Sequence, residues 1–236
     1  MSRQLPLQLS LRPPATLASF VPGDNLQALG VLGALAEGRG ESLIFLHGPA
    51  GCGKTHLLAG TCARAQARGA RCAYVPLREA ASLSPELLNG LDALDVVCID
   101  DVDAIAGDRE WETALFRVFN ALREHGRRLV ASAACPPGAL PLSLPDLRSR
   151  LGWGLTLGLR PLHGEALAVA LQSAAAARGM RLDAEVARYI LERCPRHLPA
   201  LLRILEDLDR ASLAAQRTLT IPFVKSRLQP ARDSAE

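Results

Sequence analysis

The sequence predicts an α/β fold, a parallel sheet flanked by helices, followed by a small all-helical domain. Three observations carry that expectation. A short apolar run opening at Leu43 leads directly into a glycine-rich loop and a helical segment, LIFLHGPAGCGKT. Further β-type runs recur at Cys72 to Pro76, Leu94 to Ile99, Arg128 to Ser132 and Gly154 to Leu159, separated by segments of helical period. Such alternation marks parallel strands joined by crossover helices. After Pro161 the β-type runs stop and only helical patterns follow.

Taken in order, the helix after the glycine loop is expected from His56 to about Arg68, with Gly69 as its stop. One connecting helix is expected to open near Ser84, with Pro85 at its first position, where a missing N–H leaves no hydrogen bond unmade. Another, from Arg109 to His125, places Trp111, Leu115, Val118, Phe119 and Leu122 on one face and ends at Gly126. The helical part reads Gly164 to Arg178 ended by Gly179, Asp183 to Arg193 ended by Pro195, Leu198 to Gln216, and a short helix opened by Thr220 and Pro222. The expected divisions are an N-terminal peptide over 1–14, an α/β base over 15–160, a helical lid over 161–228 and a disordered tail over 229–236.

The loop carries the first chemistry. Gly48, Gly51 and Gly53 stand in GxxxxGKT spacing with Pro49, Ala50 and Cys52 between them. Bare backbone there lets successive N–H groups turn inward around phosphate oxygens. Lys54 would reach the terminal phosphates, Thr55 would offer its hydroxyl to Mg²⁺, and the helix continuing through His56 would point its positive end at the anion. The site expected is therefore one for ADP or ATP with Mg²⁺.

A second motif is the strand from Val96 to Ile99 ending in Asp100 and Asp101. Carboxylates at the end of a buried strand beside a phosphate loop suit Mg²⁺ and an attacking water. Asp100 fits the metal role and Asp101 the orientation or deprotonation of water; the alternative is two aspartates that cap a turn. The N-terminal Gln4, Leu5, Pro6, Leu7, Gln8 and Leu9 form a third motif. A polar anchor followed by spaced leucines on an extended stretch can dock into a pocket on another protein, or can be a plain disordered start.

Composition excludes several classes. The 236 residues are 49% hydrophobic, enough for a full core, and the formal charge of +3 comes from dispersed arginines without a polybasic run. That is too little to argue for direct nucleic-acid binding. The six cysteines form no CxxC pair and the histidines lack ligand spacing, so free thiols are expected and no metal site beyond the nucleotide's Mg²⁺. No apolar run approaches membrane-spanning length and the N-terminus lacks the apolar block of a signal peptide, so a cytoplasmic protein is expected.

With GPAGCGKT, the VVCIDD strand end, LPDLRSRLGWG at Leu144, LASFVPGDN at Leu17 and DRASLAAQRTLTIPFVK near the C-terminus, the chain resembles the DnaA-related AAA+ family. Within it the resemblance is to the Hda family of regulatory inactivators of DnaA, over nearly the full length. It implies an AAA+ base with a helical lid. It also implies that Arg150 is the finger one subunit extends to the nucleotide of the next, although a salt-bridging strut reads the same in sequence, and Arg148 lies close by. Such a finger can be worth ~10³ to 10⁵ in rate. Arg196 matches a lid arginine that touches nucleotide in cis.

The resemblance further assigns Gln4, Leu5, Leu7 and Leu9 to the bacterial sliding clamp, the β subunit of DNA polymerase III. Ala134 stands where a polar sensor residue is expected, and Asp101 where many relatives carry Glu, so slow hydrolysis of the protein's own nucleotide is expected. The sequence has no segment matching DnaA's oligomerisation and helix-turn-helix domains, so contact with DNA is expected only through the clamp. The function implied is negative regulation of replication initiation: clamp-tethered, the protein would promote hydrolysis of DnaA-bound ATP. An autonomous helicase-loader-like ATPase and a nucleic-acid-binding AAA+ module are the alternatives. The expected partners are DnaA and the clamp, with no membrane, and homo-oligomers are compatible with the resemblance.

Overall fold

The computed structural model describes residues 15–80, 83–215 and 219–228. The docking residues Gln4, Leu5, Leu7 and Leu9 and the tail over 229–236 lie outside the described residues.

In chain order the base comprises α1 (Leu26–Ala36), β1 (Leu43–His47), α2 (Lys54–Gln66), β2 (Cys72–Pro76) and the short α3 (Leu77–Ala80). It continues with β3 (Val96–Asp100), α4 (Arg109–Glu124), β4 (Arg128–Ala133), α5 (Pro145–Leu151) and β5 (Leu155–Gly158). The five strands form one sheet in the order β2-β3-β4-β1-β5, and every neighbouring pair is parallel. The glycine loop thus leaves a strand flanked on both sides, at the edge where all five strands end.

Alternating side chains fill two cores, as a sheet covered on both faces requires. Phe45, Val97, Ile99, Leu129 and Ala131 meet α4 on one face; Ile44, Leu46, Cys98 and Val130 meet α1 and α2 on the other. The expected stripe of α4, Trp111, Leu115, Val118, Phe119 and Leu122, is buried in the first core. Asp108 caps this helix by accepting from the N–H groups of Glu110 and Trp111. Glu112, fully buried, accepts from the backbone N–H groups of Gly107, Ser143 and Leu144 at 2.8, 3.0 and 2.6 Å, tying α4 to the segment that opens α5.

Four helices follow: α6 (Gly164–Ala176), α7 (Ala184–Arg193), α8 (Leu198–Ala215) and α9 (Ile221–Leu228). They enclose a core of their own around Leu171, Val186, Ile190, Leu201, Leu205 and Val224. The passage into them is pinned by Asn25, whose side-chain amide donates to the Arg160 carbonyl at 2.9 Å and accepts from the Arg160 N–H at 2.8 Å. Among the described residues no helix is long and apolar enough to cross a membrane.

Two local expectations differ. The helix expected at Ser84 is a single 3₁₀ turn, Pro85–Leu88. Ser84 caps it, but Asn89 already has extended backbone and Gly90 turns left-handed, so no second turn can form. The strand that ends in the acidic pair runs Val96–Asp100, so Asp100 is its last residue and pairs with Pro76 on β2.

Candidate functional site

The glycine loop spans β1 and α2 with backbone that a side chain would obstruct. At Gly48 φ is +153°, and a Cβ would lie 2.6 Å from the Leu159 carbonyl oxygen. At Gly51 φ is +79°, and a Cβ would lie 2.3 Å from Cδ of Pro199 in the lid. Lys54, only 8% exposed, turns back over the loop and donates to the carbonyls of Gly48 at 2.7 Å and Pro49 at 3.3 Å. An ammonium has three protons to donate, so one remains for an anion seated in the loop. Cys52 is buried, and burial pushes its thiol pKa up. His47, just before the loop, has its imidazole pKa pushed down by burial and, secondarily, by the Lys54 charge.

Asp100 is the hub beside this loop. It is 2% exposed, and its Oδ2 accepts from the Thr55 hydroxyl at 2.7 Å and the Tyr74 phenol at 2.9 Å. Its Oδ1 accepts from the Ser132 hydroxyl. Burial and the Asp100 charge push the Tyr74 phenol pKa well up, which keeps that proton in place as a donor. A hydroxyl and a carboxylate at hydrogen-bond distance are oxygen donors of the kind that could hold Mg²⁺ beside nucleotide phosphates. The residues present therefore fit a Mg-nucleotide: a loop whose Gly48 and Gly51 admit no Cβ, an ammonium proton left over on Lys54, and Thr55 with Asp100.

Asp101 is turned differently. It is the one non-glycine residue with positive φ among the described residues, at +57°. Its carboxylate accepts from Nε of Arg78 at 2.9 Å and its N–H donates to the Ser132 hydroxyl at 3.2 Å. Ala134 lies exposed just past the end of β4, its N–H donating to Asp103 at 3.0 Å.

The lid meets the loop directly. His197 Nε2 lies 3.1 Å from the Ala50 carbonyl oxygen, and Pro199 fills the space over Gly51. Arg196 is exposed and its Nε donates to the Leu191 carbonyl at 3.4 Å. Between lid and base opens a cleft of about 580 Å³, lined by Phe20, Gly53 and His56 from the base and by Ala174, Arg178 and Leu202 from the lid. The His56 ring turns to the start of the base, its Nε2 2.8 Å from the Thr16 carbonyl oxygen and 3.2 Å from the Ser19 hydroxyl.

Arg150 stands at the far edge of the sheet. It lies in the last turn of α5, with its guanidinium carbon 4.0 Å from the centroid of the Trp153 ring. Trp153 lines a hollow with Leu43, the first residue of β1, and Leu129, the second of β4, whereas the glycine loop follows the end of β1. Among the described residues the Arg150 guanidinium has no ion pair, so the strut alternative finds no carboxylate partner.

Residues 11–158 match the family of the bacterial DnaA ATPase domain. The chain belongs to the DnaA-related AAA+ family. Residues 165–228 match the Hda lid domain. Among solved structures, domain III of the Thermotoga maritima replication initiation protein DnaA superposes with a TM-score of 0.75 at 22% identity, covering 92% of this chain and 98% of that one. AMPPCP-bound DnaA from Aquifex aeolicus gives 0.71 at 24%, covering 92% and 71%. The Thermotoga maritima RuvB branch migration motor gives 0.67 at 19%, covering 91% and 71%. These likenesses show the AAA+ fold, a parallel sheet with a helical lid.

In this AAA+ chain the structure brings together the loop residues 48–55, Asp100 and, at the rim, Asp101. It sets Arg150 apart, turns the His56 ring toward Thr16, and puts His197, next to Arg196, on the loop. Sequence reasoning missed Ser132, Tyr74, Arg78 and His197. The β3–β4 register, with Ile99 opposite Ala131, is what brings Ser132 opposite Asp100, and the β2–β3 register brings Tyr74 near it.

Proposed function

We propose that this DnaA-related AAA+ protein is a negative regulator of replication initiation that promotes hydrolysis of ATP held by DnaA. The observation that carries the reading is the place of Arg150. It stands at the edge where β1 begins, and its own phosphate loop follows the end of that strand, roughly 16 Å away along an extended backbone. A guanidinium that far from its own loop, with no carboxylate partner among the described residues, supports a role toward a nucleotide on another molecule.

Lys54, the loop backbone and Thr55 with Asp100 would hold ADP or ATP with Mg²⁺, a reading supported by the likeness to AMPPCP-bound DnaA. The bound metal would neutralise phosphate charge. The salt-bridged Asp101 and the apolar Ala134 leave little to position a water, so the protein's own turnover is slow and the productive chemistry takes place on DnaA. Arg150 would donate to oxygens on which charge accumulates during phosphoryl transfer. Gln4, Leu5, Leu7 and Leu9 would tether the protein to the DNA-loaded sliding clamp. The match to the Hda lid domain supports DnaA as partner.

The test is single-turnover hydrolysis of labelled ATP preloaded on DnaA, with DNA-loaded clamp present. Wild-type protein is expected to stimulate hydrolysis, and Arg150→Ala and Gln4→Ala to lose that stimulation while keeping fold and nucleotide affinity. DnaA-bound ATP left intact by the wild type overturns the inactivator reading in favour of the autonomous ATPase, which a steady-state assay of the protein alone then measures.

A further inference from the structure

We propose that Trp153 is the positioning residue of Arg150, holding the guanidinium by the face of its indole so that the N–H donors stay free for the phosphate of a partner's nucleotide. The inference rests on the finger reading above and extends it to a residue outside the chemistry itself.

The local chain builds the platform. α5 ends at Leu151, and the Trp153 N–H then donates to the Arg150 carbonyl at 3.1 Å, so the indole returns beside the arginine that precedes it by one turn. Gly154 follows in a space no other residue fits. A Cβ there would lie 2.2 Å from the Leu43 carbonyl oxygen and 2.5 Å from Leu43 Cγ. This close approach fixes the root of the indole against the start of β1. The guanidinium carbon of Arg150 lies 4.0 Å from the ring centroid and that of Arg123, from the last turn of α4, lies 4.4 Å from it.

Trp153 remains 51% exposed, so the indole offers a face to cations at the protein surface. A carboxylate would also hold Arg150, but a bidentate pair would occupy two N–H donors and cancel the charge. An aromatic face attracts the cation through its quadrupole, takes no donor and leaves the charge intact. Among the described residues the Arg150 guanidinium makes no hydrogen bond or ion pair, as a group kept for an external anion requires. Arg123 on the same ring adds a second positive charge to the patch.

The experiment compares Trp153→Leu, Trp153→Phe, Arg150→Ala and the double variant Arg150→Ala/Trp153→Leu in the single-turnover assay with DnaA-bound ATP and DNA-loaded clamp. Thermal unfolding and nucleotide titration of each variant check the fold. Leucine keeps apolar bulk and lacks a π face, so Trp153→Leu is expected to slow stimulated hydrolysis about tenfold, the scale of one cation–π contact. Trp153→Phe is expected to retain most of the stimulation, and the double variant to be no slower than Arg150→Ala alone. A folded Trp153→Leu that stimulates like wild type overturns the platform and leaves the finger standing, as does a double variant slower than Arg150→Ala. Full stimulation by Arg150→Ala overturns the finger reading itself, and the platform with it.

Discussion

Lys54 and Asp100 are oppositely charged, nearly buried and close in sequence to nothing that neutralises them, yet each is satisfied. Lys54 spends two protons on the Gly48 and Pro49 carbonyls, and Asp100 accepts three hydroxyls, from Thr55, Tyr74 and Ser132. Buried charges of this kind survive only when their hydrogen bonds are made. Lys54→Ala removes the loop's cation, and a charge-assisted hydrogen bond is worth about 1.5–3 kcal/mol, so nucleotide affinity is expected to fall at least about tenfold. Isothermal titration with ADP measures this, and an unchanged affinity would falsify the assignment of the loop. The motif residues were legible because they are contiguous: three glycines, a lysine and a threonine in one spacing. Ser132 was not, because a serine in an apolar strand has meaning only once the β3–β4 register sets it against Asp100.

At the level of elements, α4 shows how a buried carboxylate can join two segments that share no strand. Glu112 accepts three backbone N–H groups, one just before its own helix and two ahead of α5. Glu112→Ala removes three charge-assisted hydrogen bonds to part-buried backbone donors and is expected to cost about 1.5–3 kcal/mol, read as a lowered denaturant midpoint with little change in slope. A midpoint within error of wild type would mean that the segment ahead of α5 is held by its apolar contacts alone. The apolar stripe of α4 was legible from its spacing and its Gly126 stop. By contrast α1 went unassigned: Gly30 and Gly33 interrupt an apolar stretch whose polar face is too thin to show a period. α5 was read for its arginines but not as a helix, since seven residues opened by a proline are too few to display one.

For the whole molecule, the contact between lid and phosphate loop matters most. His197 and Pro199 sit on Ala50 and Gly51, so the seating of the lid and the shape of the loop depend on each other. Gly51→Ala combines left-handed backbone strain with a Cβ placed against Pro199, whereas Gly69→Ala, at a φ of +85° with nothing within 4 Å, brings the strain alone. The first is expected to speed hydrogen exchange in the opening turn of α8 and to weaken nucleotide binding. The second should leave both as they are, and equal behaviour of the two variants would show that the lid does not lean on the loop. The lid's helices were legible from their caps and periods, but the meeting of His197 with Ala50 was not, because it depends on how two separately folded cores settle together. The two ends of β1 carry one further consequence. With the phosphate loop at one end and the Arg150 platform at the other, any contact that joins the two between molecules is head-to-tail. It pairs unlike surfaces, so each head-to-tail pair still presents one open surface of each kind, and repetition of the contact gives a ring if its rotation closes and an open helical filament if it does not.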